Sequence, residues 1–294
     1  MNPQYQHDAL SLMQSLCTHV GSNLATPSIG VGISDYIAQR SAIQHVFDET
    51  NGLNYNQQSI LLRLIVIDSL YSTNARYSYY AIDRLAGAIA ALGTEKNVAD
   101  YFYSIACGGA DYKNVFSAKY GVRKNLNDGN RQTSLLSKYA YYALLQDVVS
   151  YPLGFPIYDK LVIDMYPKVC AHLCIAIQTG FSKDIASYVT ALSAVRNAFF
   201  GSAHSLFCGM QQFDALDIYL WRMGKLCNGN YSLLFDQTDY TIFIQNIKMK
   251  GLPTKNFDAM VCQKCRTMST ASIVSGIKHA TLIGRMIDHW KRWF

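Results

Sequence analysis

Apolar residues recur at helical spacing along most of this chain. In residues 57–70, Ile60, Leu64 and Ile67 lie three or four positions apart, which places them on one face of a helix. Clusters of Gly, Asn, Asp and Pro separate such stretches, as is typical where helices end. The same spacing predicts further helices over residues 81–92, 134–149, 160–179, 185–199 and 215–226.

Two segments interrupt this pattern. Pro167 is expected to kink or split the helix predicted over 160–179. Residues 233–247 are rich in β-branched and aromatic side chains and are ambiguous between strand and helix. No strand-helix-strand alternation is present, so the sequence predicts an all-α fold.

Composition excludes several classes of protein. Half of the 294 residues are hydrophobic and only 16% are charged, which excludes a disordered or fibrous chain. The longest apolar run, Leu61–Ile67, is interrupted by Arg63 and is far shorter than the ~20 residues that a membrane span needs. The first residues lack the basic start and apolar stretch of a signal peptide. We therefore expect a cytoplasmic protein without a membrane partner.

The eight cysteines are scattered, which is typical of free thiols in a reducing compartment. Cys262 and Cys265 form a single CxxC that no second pair follows at zinc-finger spacing. Cys170 and Cys174 lie one helical turn apart, with His172 between them on another face. Ordinary core cysteines are the better interpretation, and we expect no bound metal.

Positive charge is concentrated in two blocks. Residues 245–294 contain nine Lys or Arg and two Asp, a net charge of +7, whereas residues 1–244 carry −1. Residues 113–138 have six bases and one acid. Such blocks are typical of a polyanion site, although a solvated basic tail is an equal alternative. We place a boundary near 251–253, which predicts a helical domain over 1–244 and a basic extension over 245–294.

One lysine lies in an unusual setting. The turn at 127–130 precedes a predicted helix that Thr133 or Ser134 would cap, and Lys138 follows near its start. The positive helix end and apolar neighbours would both disfavour a charged lysine there, which favours a nucleophilic amine. Tyr142, one turn further on, is a candidate pocket residue. The alternative is a solvated surface lysine.

A carboxylate opens the next predicted helix. Pro156 favours an extended Phe155, and Asp159 then precedes an apolar helical stretch, where it is a natural N-cap. Backbone donors and the helix dipole would keep its carboxylate ionised. A capping role alone is the alternative.

Lys138 and Asp159, 21 residues apart, and the segment from Phe155 to Asp159 resemble the helix-hairpin-helix DNA glycosylases. The similarity covers about 55–226 and is strongest to the branch near archaeal 8-oxoguanine glycosylases and bacterial anti-phage glycosylases. It implies a two-lobed helical fold in which Lys138 is the nucleophile and Asp159 the essential carboxylate. The family's Leu-Pro-Gly-Val-Gly hairpin is absent, and 127–131 stands in its place.

The resemblance also implies a base pocket and a DNA surface. Asp217 and Trp221 match the pair that reads and stacks an extruded base, and Asn74 matches the plug that fills the vacated stack. A surface acid, a core tryptophan and an ordinary turn residue are the respective alternatives. Together with the basic blocks, this predicts a set of DNA-contacting residues: Asn74, Arg76, Arg123, Lys124, Arg131, Lys248 and Lys250.

The activity implied is excision of a modified base from double-stranded DNA, with or without cleavage of the abasic site through a lysine Schiff base. The base would be 8-oxoguanine in DNA repair, or a bulky phage base such as glucosylated 5-hydroxymethylcytosine in antiviral defence. No cofactor is implied, because the iron–sulfur cysteines of a related branch are missing, and we expect a monomer. Two alternatives stay open: a non-catalytic helical DNA-binding protein on the same scaffold, and a helical protein-interaction module.

Overall fold

A computed structural model describes residues 3–24, 33–51, 55–71, 79–109, 113–116, 132–231, 234–253 and 255–293. In these ranges the regular elements are helices, and a single isolated bridge joins Phe207 and Met210. The all-α prediction is therefore confirmed for the described part of the chain. The chain divides into two compact units: a terminal unit of Met1–Ala38, Asp164–Ala176 and Ala215–Phe294, and a central unit of Gln39–Ile163 and Ile177–Asp214.

The central unit contains the helices that carry Lys138 and its neighbours. α3 packs against α4 and α7, and α5 packs against α7 and α9. Tyr139 and Leu136 of α7 are fully buried between these partners, as are most side chains of that helix. The helices that lie wholly in this unit are α3 (Gln57–Tyr71), α4 (Tyr79–Ala90), α5 (Glu95–Ala106), α6 (Lys113–Phe116), α7 (Thr133–Leu145) and α9 (Ile185–Phe200).

The terminal unit is built on the contact of the first helix with the last. α14 packs against α1 and α13, and α11 packs against α12 and α13. Its helices are α1 (Pro3–Leu24), α11 (Gln237–Ile247), α12 (Phe257–Thr267), α13 (Thr270–Val274) and α14 (Ala280–Lys291). Three more helices have residues in both units: α2 (Ile33–Glu49), α8 (Lys160–Leu173) and α10 (Gln212–Cys227).

The structure resolves two points of secondary structure that the sequence left open. The ambiguous segment forms the helix α11, and Asp236 caps its start by accepting a 2.7 Å hydrogen bond from the backbone N–H of Asp239. Pro167 does not split α8, which continues from Lys160 to Leu173. The other predicted helices agree with observed ones to within a few residues at most ends, and α8 stops six residues short of the predicted 179.

The basic C-terminal residues are integrated into the terminal unit. Trp290 of α14 is 1% exposed, and α14 packs on α1. The lysines Lys248, Lys250 and Lys255 are nevertheless exposed. The segment thus combines apolar anchors with solvated charges, and our boundary near 251–253 stays a prediction.

Candidate active site

The helix that carries Lys138 begins without a side-chain cap. α7 starts at Thr133, and Gln132 before it has a left-handed backbone with φ 41° and makes no capping bond. The prediction that Thr133 or Ser134 caps this helix is therefore wrong. Both residues lie inside the helix, and the hydroxyl of Ser134 serves Lys138 instead.

Lys138 is buried at the wall of the central unit. Its side chain is among the buried charged groups, with 2% of the residue exposed. The amine Nζ donates a 2.7 Å hydrogen bond to Ser134 Oγ, one helical turn earlier, and lies 5.2 Å from the ring centre of Tyr71. A lysine is almost never fully buried unless it has specific partners. The surface-lysine interpretation is wrong, and Lys138 is held by a hydroxyl and an aromatic face.

Tyr71 connects Lys138 to the predicted pocket residue Tyr142. The hydroxyls of Tyr71 and Tyr142 are 2.8 Å apart, and the Tyr142 ring lies 5.9 Å from that of Phe47. Tyr142 has no exposed surface. The tyrosine pair therefore forms a packed wall beside the lysine, and the role of Tyr142 in holding a base stays a prediction.

Asp159 lies at the start of α8, as the sequence predicts. Its Oδ1 accepts a 2.7 Å hydrogen bond from the backbone N–H of Leu161, and its carbonyl accepts one from Ile163. The side chain is half-buried. These bonds are those of an N-cap, so one carboxylate oxygen is fixed by the helix start and the group is held in one orientation.

Hydrogen bonds from two tyrosine hydroxyls to backbone carbonyls hold the segment that leads into Asp159. Tyr188 Oη donates to the carbonyl of Ile157 at 2.5 Å, and Tyr158 Oη donates to the carbonyl of Ser182 at 2.8 Å. The rings of Tyr158 and Tyr188 also pack together, 4.9 Å apart. Two tyrosines thus fix residues 154–159, which have no regular secondary structure.

A serine that the sequence analysis did not single out joins the two candidate residues. Ser137 Oγ accepts a 2.9 Å hydrogen bond from the backbone N–H of Tyr158 and donates one to the carbonyl of Ser134. This bond links the residue before Lys138 to the residue before Asp159. The structure therefore brings together the two segments that the resemblance pairs. The sequence signal that could have indicated this contact is the hydroxyl of Ser137, directly before the lysine.

A second buried network includes Tyr141 of α7. Arg40 binds both carboxylate oxygens of Asp214, at 2.7 and 2.6 Å, and Tyr141 Oη donates to the same carboxylate at 2.7 Å. The guanidinium also lies over the Tyr141 ring, 5.6 Å from its centre. This bidentate pair fixes the tyrosine that precedes Tyr142. It was not predicted, because nothing local marks Arg40 and Asp214 as partners.

The proposed base-reading pair belongs to α10 of the terminal unit. Asp217 is 8% exposed, so it is not the surface acid of the alternative interpretation. Trp221 is half-buried, and the amine of Lys225 lies 5.1 Å from the centre of its ring system. The guanidinium of Arg222 lies 5.5 Å from the same centre. The indole is therefore flanked by two cations, and its stacking on a base stays a prediction.

The predicted DNA contacts divide into two groups. Lys248 and Lys250 are exposed at the end of α11, where Lys248 has a left-handed backbone with φ 57°. The other five lie outside the described residues, and for them the prediction stands on the sequence alone: Asn74, Arg76, Arg123, Lys124 and Arg131.

The described ranges contain neither a group of metal ligands nor a helix that could span a membrane. No group of three or more His, Cys, Asp or Glu there is arranged to hold a metal ion, and all eight cysteines carry free thiols. None of the helices described is long and apolar enough to cross a bilayer. Comparison of the chain with protein-family models, curated proteins and solved structures gives no match.

Proposed function

We propose that this protein is a DNA glycosylase of the helix-hairpin-helix type, with the two-lobed architecture of that superfamily. It would excise a modified base from duplex DNA, with Lys138 as nucleophile and Asp159 as the carboxylate beside the reacting sugar. One observation carries the proposal. Lys138 is buried, and the hydrogen bond between Ser137 and Tyr158 joins the segment of Lys138 to the segment of Asp159. Both groups are positioned by helix geometry rather than by mobile surface contacts.

Cleavage of an N-glycosidic bond produces positive charge on the sugar. The C1′–N bond electrons leave with the base, and the sugar becomes oxocarbenium-like. The carboxylate of Asp159 would stabilise this cation, and its capping bond limits how far it must reorganise. A base inside the duplex cannot be reached, so it must first be flipped out of the stack.

The amine of Lys138 would attack the same carbon. An ammonium group has no free electron pair, so Lys138 must lose its proton before attack. The new C1′–N bond replaces the bond to the base, which leaves with the bonding electrons and takes up a proton. The C1′–O4′ bond then breaks, the ring oxygen takes up a proton that the amine nitrogen loses, and a Schiff base results. Ser134 accepts a hydrogen bond from the amine and would hold it in place during this exchange.

Borohydride trapping tests the proposal directly. Duplexes that contain 8-oxoguanine, uracil, an alkylated purine or glucosylated 5-hydroxymethylcytosine would each be incubated with the protein and reductant. We expect covalent trapping on one of them, and its loss in Lys138→Gln. Lys160→Gln is the matched control, because Lys160 is an exposed lysine beside Asp159.

Four results separate the alternatives. Trapping that survives in Lys138→Gln but not in Lys160→Gln would assign the chemistry to the other amine. Excision without trapping would indicate that water is the nucleophile. Tight duplex binding with no excision on any substrate would favour the non-catalytic DNA-binding protein, and no binding at low salt would favour the protein-interaction module.

A further inference from the structure

α1 and α14 of the terminal unit line a groove that includes Arg285. It has a volume of about 480 Å³. Its lining combines one guanidinium, one imidazole, hydroxyls and an amide, and it contains no carboxylate: Gln14, Ser15, Thr18, His19, Thr281, Leu282 and Arg285. A groove that offers donors and positive charge without an acid is suited to an anion.

Arg285 is held in the groove by neutral partners. Its guanidinium donates to the hydroxyl of Ser11 at 2.8 Å and also to the hydroxyl of Ser15. Neither partner carries a charge, so these bonds orient the guanidinium without neutralising it. A planar guanidinium oriented in this way matches the geometry of phosphate oxygens.

The acids near Arg285 are engaged by other groups. A smaller cavity of about 170 Å³ adjoins Arg285 and includes Asp8 and Asp288 in its lining. Asp8 is paired with Arg292, and Asp288 accepts a hydrogen bond from Thr270. Both carboxylates line this smaller cavity, and neither lines the larger groove.

His19 adds a neutral donor to the groove. Burial, with Arg222 and His279 nearby, lowers the pKa of His19 to about 4. Its ring packs edge-on against His279 at 5.0 Å. At neutral pH the imidazole is uncharged and supplies one N–H donor. Thr281 adds a hydroxyl, whereas the hydroxyls of Ser15 and Thr18 donate to the carbonyls of Ser11 and Gln14 within α1.

We infer that the groove between α1 and α14 binds the phosphodiester backbone of duplex DNA, with Arg285 contacting a phosphate. This inference rests on the proposed function for its partner. The occupant follows from charge: hydroxyls, an imidazole and an unneutralised guanidinium are the groups that contact phosphates in DNA complexes. Such contacts position the protein on the duplex and leave the reacting sugar untouched.

The first test is the salt dependence of duplex binding in Arg285→Gln. Loss of one phosphate contact reduces the slope of log K against log salt by about 0.9, and affinity should fall on the order of tenfold at low salt. Lys264→Gln is the matched control, because Lys264 is an exposed cation of the same unit outside the groove. It should leave both quantities close to wild type.

A second variant keeps Arg285 and its bonds to α1. Thr281→Glu places a carboxylate in the groove on an exposed residue in the first turn of α14, where the helix dipole favours an acid. We expect it to weaken binding as Arg285→Gln does. Thr281→Gln has the same size without the charge and should bind as wild type does. The single-turnover excision rate at saturating protein should be unchanged in all four variants.

The outcomes separate this inference from the proposed function. If Arg285→Gln binds weakly while Thr281→Glu binds normally, the loss comes from disturbed packing of α1 on α14, and the inference is overturned. Normal binding by both variants overturns it as well, with the glycosylase proposal intact. If the wild-type protein binds no duplex at low salt, both fail. If Arg285→Gln and Thr281→Glu both bind duplex more weakly while Lys264→Gln and Thr281→Gln bind normally, the result supports DNA binding in the groove.

Discussion

The buried ion pair of Arg40 and Asp214 allows a stability prediction of defined size. The Arg40 side chain is 4% exposed and that of Asp214 is 1% exposed, so solvent cannot replace either partner. In Asp214→Asn the shape is kept, but Arg40 loses its counter-charge while it stays buried. Removal of one partner from such a pair costs about 3–5 kcal/mol in the free energy of unfolding.

Tyr141→Phe provides a graded comparison at the same carboxylate. It removes only the 2.7 Å hydrogen bond to Asp214 and leaves the ion pair intact. A hydrogen bond to a charged group contributes about 1.5–3 kcal/mol, so this variant should lose less stability than Asp214→Asn. The ordering follows because Asp214→Asn removes the counter-charge of the buried Arg40, whereas Tyr141→Phe leaves both buried charges paired.

Removal of both charges should recover part of the loss. In Arg40→Met combined with Asp214→Asn, no buried charge is left, and the methionine fills most of the space of the arginine stem. Replacement of a buried ion pair by neutral groups of similar volume is often nearly neutral. The double variant should therefore be more stable than Asp214→Asn alone.

Urea denaturation, followed by far-ultraviolet circular dichroism, measures all four proteins. Thermal midpoints give an independent check, because 3–5 kcal/mol corresponds to a decrease of roughly 6–20 °C for a unit of this size. An Asp214→Asn variant that is no less stable than Tyr141→Phe would contradict the assigned ordering. A double variant that is no more stable than Asp214→Asn alone would contradict the recovery expected when both charges are removed.

Three further predictions concern the active site, pH and the basic segment. Asp159→Asn should fold and bind DNA, since asparagine also caps helices, while single-turnover excision falls by about 10²–10³-fold; activity within tenfold of wild type would remove Asp159 from the mechanism. Burial lowers the pKa of His289 to about 4, so its contribution to stability is complete above pH 6.5 and is lost as the pH falls towards 4. In urea titrations over that range, His289→Gln should flatten the loss relative to wild type, and an identical pH profile would contradict this assignment. Neutralisation of Lys248, Lys250 and Lys255 together should lower the salt slope of duplex binding by up to about 2.7 with the excision rate at saturation unchanged; an unaltered slope would show that these exposed lysines do not contact DNA.

Helix content was predictable from sequence because its signal is local. Apolar residues three and four positions apart fix which face is buried, and α3 and α9 were placed to within one residue at each end on that basis. The same local logic placed Asp159 as the cap of α8. It did not decide between strand and helix for α11, because Thr241, Ile242 and Phe243 favour strands while the segment forms a helix with Asp236 as its N-cap.

The candidate site depended on contacts that no local pattern encodes. Lys138 is buried because Tyr71, which lies 67 residues earlier in the chain, covers its amine, and Ser137 reaches Tyr158 across 21 residues. Likewise Arg40 is buried through Asp214, at a separation of 174 residues. Charged residues are ordinarily exposed, so sequence alone assigns them to the surface. Only the tertiary structure decides which of them find partners that offset the desolvation cost of burial, because those partners meet only after the helices have packed.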